Sequence, residues 1–172
     1  MDYMKIRKNL KPISKKEQKV VDKAVGLLKE RYANGERFLS SDNSMAFIQL
    51  SMAQFDREVF SCLYLDNQHR LIAQEYLFVG AVDGIQVSTR EVLRAALLHN
   101  ASAVILAHNH PGGTAEPSTE DLAITKQLEK ALGMVGIRLL DHIVVGTQET
   151  TSIADLNASL FIHSDEEDTH ES

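Results

Sequence analysis

Residues 103–121, AVILAHNHPGGTAEPSTED, decide how this chain folds. Ala103 to Ala107 is an unbroken apolar run which, with His108, reads as a buried strand. Pro111-Gly112-Gly113 stops it. Ser118, with Asp121 three residues on, has the spacing of a capping box and opens a helix to about Leu132. Residues i and i+2 of an extended chain point to the same side, so His108 and His110 project together from the end of the strand. Ten residues separate His110 from Asp121, enough for a loop to bring the first helical turn back over the strand end. Two imidazoles and one carboxylate can then converge.

Working outward, Ile137 to Val145 is a further strand, and Ser152 to Leu156 one last helical turn. Ser88 with Glu91 is another capping pattern, starting a helix to about Asn100. Glu58 to Asp66 and Leu71 to Val79 are aromatic and β-branched runs on either side of Asn67-Gln68-His69-Arg70, a β-hairpin pattern. A short helix is expected from Asn43 to Ala53. Ser14 with Glu17 opens a longer one over about 15–34, closed by Asn34-Gly35. There Val20, Val21, Ala24, Val25, Leu28 and Tyr32 recur at helical spacing, with Lys15, Lys19 and Lys23 opposite. Two strands, then helix, strand, helix, strand is the order of an α/β protein with a mixed β-sheet sandwiched by helices.

The chain has 172 residues, 44% hydrophobic and 24% charged, as ordinary for one globular domain. The lone Cys62 forbids an internal disulfide. Met1 to Lys11 is basic but is not followed by the apolar stretch of a secretory signal. No apolar run approaches the roughly 20 residues of a membrane span, so a cytoplasmic protein is expected. The net charge of −6 is unevenly spread: +6 over residues 1–37, −7 over 38–164 and −5 over 165–172. The expected organisation is a basic N-terminal helical extension (1–37), a catalytic domain (38–164) and a disordered acidic tail (165–172).

Two His and one carboxylate leave a tetrahedral Zn²⁺ one open position, the arrangement of a catalytic site. Such an ion lowers the pKa of water to about 7. A non-haem iron centre uses the same ligand types, so residue type alone does not choose the metal. A carboxylate is also needed to accept a proton and hand it to a leaving amine. Glu58, at the start of the first core strand, is the first candidate and Glu75, in the next strand, the second. Ser118 either caps the helix or faces the site.

His108-x-His110, ten residues, then Asp121, with Pro111 and Ser118 in place, resembles the JAMM (MPN-plus, JAB) metalloprotease motif. Within that superfamily HNHPGG, PSTED, TREVLRAALLHNASAVILA and DHIVVG resemble the signature stretches of the RadC group, over about Phe38 to Leu156. The resemblance implies a JAB/MPN layout, similar to cytidine deaminases, with zinc held by His108, His110 and Asp121. Ser118 matches the serine that helps stabilise the tetrahedral intermediate, and Glu58 the upstream general acid/base. It also implies a hydrolase of peptide or isopeptide bonds acting on an unidentified protein or peptide. Gly112 stands where the group usually has Ser, at a position that is not a ligand. The roughly 40 residues before the core are too few for the helix-hairpin-helix module of full-length RadC proteins, so a short form is expected.

Other polar residues have plainer explanations. His142, next to Asp141, reads as a hydrogen-bonded strand residue, with a place beside the site as the alternative. His69 and His99 read as structural or solvated, Cys62 as core, and Arg90 with Arg94 as a solvated helix face rather than a clamp for a substrate carboxylate. His163 and His170 fall at the acidic tail, where adventitious metal binding is conceivable. One cysteine cannot supply the Cys pair of a zinc deaminase. The competing function is a DNA-repair or recombination accessory protein that binds nucleic acid through Lys15, Lys19 and Lys23; a non-catalytic MPN-type scaffold is the third.

Overall fold

The computed structural model describes residues 14–52, 55–80, 86–111 and 113–161. The acidic tail and the first thirteen residues of the basic extension lie outside the described residues, as do His163 and His170. Helix α1, Lys15–Ala33, starts on a complete capping box: the Glu17 amide donates to Ser14 Oγ, and the Ser14 amide to the Glu17 carboxylate. Helix α2, Ser41–Met52, begins two residues earlier than its apolar pattern suggests, because Ser40 supplies the cap and accepts from the Asn43 amide. Strands β1 (Val59–Leu65) and β2 (Leu71–Val79) form the hairpin. Its turn is held by Asp66, whose Oδ1 accepts from the Gln68 and Arg70 amides, while His69 takes a left-handed φ of 62°.

Helix α3, Thr89–Leu98, is capped by Ser88, but only half of the expected box forms, since Glu91 turns its carboxylate to Arg94. Strand β3 spans Ala103–Asn109, helix α4 Thr119–Gly133 and strand β4 Arg138–Val145. A three-residue strand β5, Thr150–Ser152, precedes the short helix α5, Ile153–Leu156, and a 3₁₀ turn, Ala158–Phe161. Three residues are too few to show a period. β5 exists because Thr150, Thr151 and Ser152 pair antiparallel with Val145, Val144 and Ile143.

The sheet order is β2-β1-β3-β4-β5, with β3 and β4 parallel and the other neighbours antiparallel, so the sheet is mixed. β1 and β3 are buried along their whole length, as strands covered on both faces must be. Alternation divides their side chains between two cores. Leu63, Leu65, Ile105 and Ala107 join Tyr32, Phe38, Phe47 and Ile48 beneath α1 and α2. Phe60, Cys62, Tyr64, Val104 and Leu106 meet Val92, Ala96, Leu128 and Leu132 of α3 and α4. The parity of β3 therefore turns His108 towards the α4 layer. In α1 the apolar stripe is wider than its contact: Tyr32 is buried, whereas Val20 is 64% exposed. Lys15, Lys19 and Lys23 are exposed, as expected. No described helix is long and apolar enough to cross a membrane.

Candidate metal centre

The parallel β3–α4–β4 crossover puts the end of β3 beside the first turn of α4. His108 is the penultimate residue of β3 and pairs with Phe60 of β1 on one side and Val144 of β4 on the other. It is 2% exposed, and the Phe60 ring stacks over it with 6.4 Å between centroids. His110 follows on the loop, its amide donating to the Val145 carbonyl at 2.8 Å. The loop then returns to α4, whose N-cap is Ser118 and whose third residue is Asp121.

The expected groups meet. His108 Nε2 and His110 Nε2 are 2.9 Å apart, and the two Asp121 carboxylate oxygens lie 3.1 Å from the first and 3.5 Å from the second. Glu58 enters from the start of β1, with its carboxylate and both imidazoles within 4.8 Å of one another. Glu75 does not: it lies farther along the sheet, opposite Cys62, and its carboxylate contacts His99 Nε2 at 2.9 Å. Ser118 takes both roles that its position allows. Its Oγ accepts from the Asp121 amide at 3.1 Å, which caps the helix, and donates to Asp121 Oδ2 at 2.6 Å, which fixes the carboxylate. Asp121 in the first helical turn also gains from the positive end of the helix dipole.

Proton placement bears on whether a cation fits. His110 Nδ1 lies 3.1 Å from the Thr114 carbonyl oxygen. A carbonyl only accepts, so Nδ1 carries the hydrogen and neutral His110 leaves its Nε2 lone pair facing His108 and Asp121. Nitrogen lone pairs 2.9 Å apart repel unless a positive charge lies between them, either a proton or a metal ion. Two imidazole nitrogens and a carboxylate form a donor set suited to a divalent transition metal, so the residues fit the group. Without an ion, protons take its place. The hydrogen bond that protonated His110 donates to Asp121, outweighing burial, raises the His110 pKa. Burial alone would raise the Asp121 pKa, but hydrogen bonds from His108 and His110 hold it far below the usual carboxylate range.

Three further residues support this centre, of which Asn109 and His142 lie in the stretches HNHPGG and DHIVVG. Asn109, between the two histidines, accepts from the Val59 amide at 2.8 Å and donates to the Arg57 carbonyl at 2.9 Å. It thus clamps the backbone on both sides of Glu58. Thr125, one turn along α4 from Asp121, and His142 of β4 are wholly buried behind His108. Burial, then the neighbouring His108, hold the His142 pKa well below the ordinary histidine value. Alternation along β4 could have flagged His142 as facing α4. Asn109 is marked only by its place in HNHPGG, and nothing in the sequence flags Thr125.

Gly146 anchors the loop that orients His110. A Cβ there would meet the Ala115 amide nitrogen at 2.6 Å and the Thr114 carbonyl carbon at 2.8 Å, both backbone atoms. Gly146→Ala is therefore expected to push residues 113–115 outward and cost roughly 1–3 kcal/mol of stability. Because Thr114 holds His110 Nδ1, affinity for a divalent metal ion should fall with it. Denaturant unfolding and chelator competition on the one variant check both, and wild-type values would show that the loop is not seated as described.

The remaining polar residues have local partners. Arg94 pairs with Glu91 at 2.8 Å, His69 Nε2 contacts Arg138 at 3.0 Å, and His99 caps α3 and stacks on Tyr64. Buried Asp141 accepts from the Ser152 hydroxyl and the Ala154 amide, tying β4 to the start of α5. Cys62 is wholly buried, and burial pushes its thiol pKa up, as for an inert core residue.

Helices on both faces of a mixed five-stranded sheet, with polar groups gathered at the end of β3, are consistent with the JAB/MPN class of α/β proteins. The family model described as "RadC-like JAB domain" matches residues 38–158. The chain belongs to this RadC-like JAB family. A UPF0758 protein of Thioalkalivibrio sulfidiphilus is 54% identical over 119 residues, covering 69% of this chain and 53% of the relative. UPF0758 proteins of Vibrio cholerae and Nitrosococcus oceani are 48% identical over 130 residues and 49% over 128, covering 76% and 74% of this chain and 82% and 57% of the relatives. The chain thus spans little more than half the length of two of these three.

Proposed function

We propose that this protein is a zinc-dependent hydrolase of peptide or isopeptide bonds. The observation that carries the proposal is the convergence of His108 Nε2, His110 Nε2 and the Asp121 carboxylate, with Glu58 on the same side. His108, His110 and Asp121 would hold Zn²⁺, which when bound would supply Lewis acidity and lower the pKa of water to about 7. The Glu58 carboxylate takes the proton of the attacking water and delivers it to the leaving amine nitrogen. Asn109 keeps Glu58 in register with the histidines throughout. The Ser118 hydroxyl, bonded to Asp121 in this structure, would exchange that bond for one to the oxyanion of the tetrahedral intermediate.

The test is metal analysis of protein purified without added metal, followed by substrate capture with the Glu58→Gln variant. Zinc at one ion per chain, with a captured protein or peptide that the zinc-loaded wild type cleaves, is expected. An iron-loaded protein, or one that cleaves no captured amide, overturns the proposal.

A second function, nucleic-acid binding, draws on the exposed row of Lys15, Lys19 and Lys23 on α1. It requires affinity for duplex DNA that falls linearly with the logarithm of salt and that is lost when the three lysines are neutralised. Absence of binding at low salt ends it.

A further inference from the structure

The two histidines of the centre are held differently at Nδ1. His110 donates straight to a backbone carbonyl, whereas His108 Nδ1 faces another imidazole, His142 Nε2, at 2.9 Å. Between two rings the direction of that bond is open, and groups farther back decide it. His142 Nδ1 lies 2.6 Å from Thr125 Oγ1, and Thr125 Oγ1 lies 2.5 Å from the Asp121 carbonyl oxygen. The carbonyl can only accept, so the single hydroxyl proton of Thr125 goes to it. The hydroxyl oxygen must then accept, so His142 carries its hydrogen on Nδ1. A neutral imidazole has one N–H, so His142 Nε2 accepts from His108 Nδ1. His108 Nε2 is left without a proton, facing His110 and Asp121.

We infer that His142 and Thr125 are positioning residues of the metal centre. They form a relay that runs from His108 Nδ1 through His142 and Thr125 to the Asp121 carbonyl and sets the tautomer in which His108 offers Nε2 to the ion. The inference rests on the metal centre proposed above. The relay also joins two of the proposed ligands, one from β3 and one from α4, by a single chain of hydrogen bonds. Its last bond is local, since Thr125 and Asp121 are one helical turn apart; its first two are tertiary. His142 and Thr125 are wholly buried and His108 nearly so, so water cannot replace a missing partner. Hydrogen-bond partners behind a metal-binding histidine fix ring orientation and basicity, and their loss costs about 10- to 100-fold in metal affinity.

Zn²⁺ competition against a chromogenic chelator tests this on the full chain, with the unfolding midpoint of each metal-free variant measured in parallel. His142→Leu and Thr125→Val are expected to bind zinc roughly 10- to 100-fold more weakly than wild type. Thr125→Ser, which keeps the hydroxyl, should retain wild-type affinity. His142→Gln, whose side-chain oxygen can accept from His108 Nδ1, should recover much of what His142→Leu loses. Should His142→Leu fail to fold, the Val and Ser variants at 125 still decide, because Val replaces the hydroxyl by a methyl group of similar size whereas Ser keeps the hydroxyl and loses the methyl. If the folded Leu and Val variants bind zinc as wild type does, the relay is only packing and the inference is wrong, while the metal centre stands. A wild type that binds no zinc removes the centre itself and the relay with it.

Discussion

Glu58→Gln is expected to lower the rate of amide hydrolysis by roughly 10²- to 10⁴-fold, the usual contribution of a positioned acid or base. The amide keeps the shape of the side chain and removes its capacity to hold a proton at neutral pH. The backbone at this position should not move. The Arg57 carbonyl and the Val59 amide are both bonded to Asn109, and the Glu58 carbonyl accepts from the Gly80 amide at 2.8 Å. The unfolding midpoint should therefore stay that of wild type, and zinc affinity should change far less than when a ligand is removed. Initial rates on a captured substrate, with zinc content measured on the same sample, check the outcome. Full activity would show that the proton travels by another group.

His110→Ala is expected to weaken zinc binding by more than the roughly 10- to 100-fold that follows loss of an outer partner, and to abolish hydrolysis. Its side chain is 24% exposed on a loop, so truncation leaves no deep cavity and the protein should still fold. Wild-type affinity also carries a pH signature. A metal ion must displace the proton on His110, and the bond to Asp121 raises the pKa of that proton. Affinity should thus be full at alkaline pH and begin to fall, on acidification, at a pH above the ordinary histidine value of about 6.5. In His110→Ala that titration should vanish from the residual binding curve. Thermal melts at fixed excess zinc give an independent readout, because a ligand stabilises only the state that binds it. The wild-type midpoint should rise and that of the variant should not.

Much of the fold was readable because its signals are local. All five helices start on a serine cap, β2 follows a turn, and β1 and β3 are mostly apolar and buried along their whole length, as doubly covered strands require. β5 was not readable, being defined only by its pairing with β4. The half-formed cap at Ser88 was missed because Arg94, one helical turn on, competes with the Ser88 amide for the Glu91 carboxylate.

The candidate site divides in the same way. The sequence by itself determined His108, His110, Ser118 and Asp121, since i, i+2 geometry on a strand and i, i+3 geometry at a helix start are set by backbone periodicity over a few residues. It also ranked Glu58 ahead of Glu75 as the proton-carrying carboxylate. Tertiary structure brings only Glu58 beside the histidines, because the antiparallel register of β1 on β3 sets Phe60 opposite His108, while Glu75 falls opposite Cys62. Only tertiary structure decided the roles of Asn109, His142 and Thr125, whose partners lie 50 and 52, 34 and 17 residues away in the chain. A hydrogen bond over such separations depends on which strands are neighbours and in which register, and that is a property of the folded sheet, not of any short stretch of sequence.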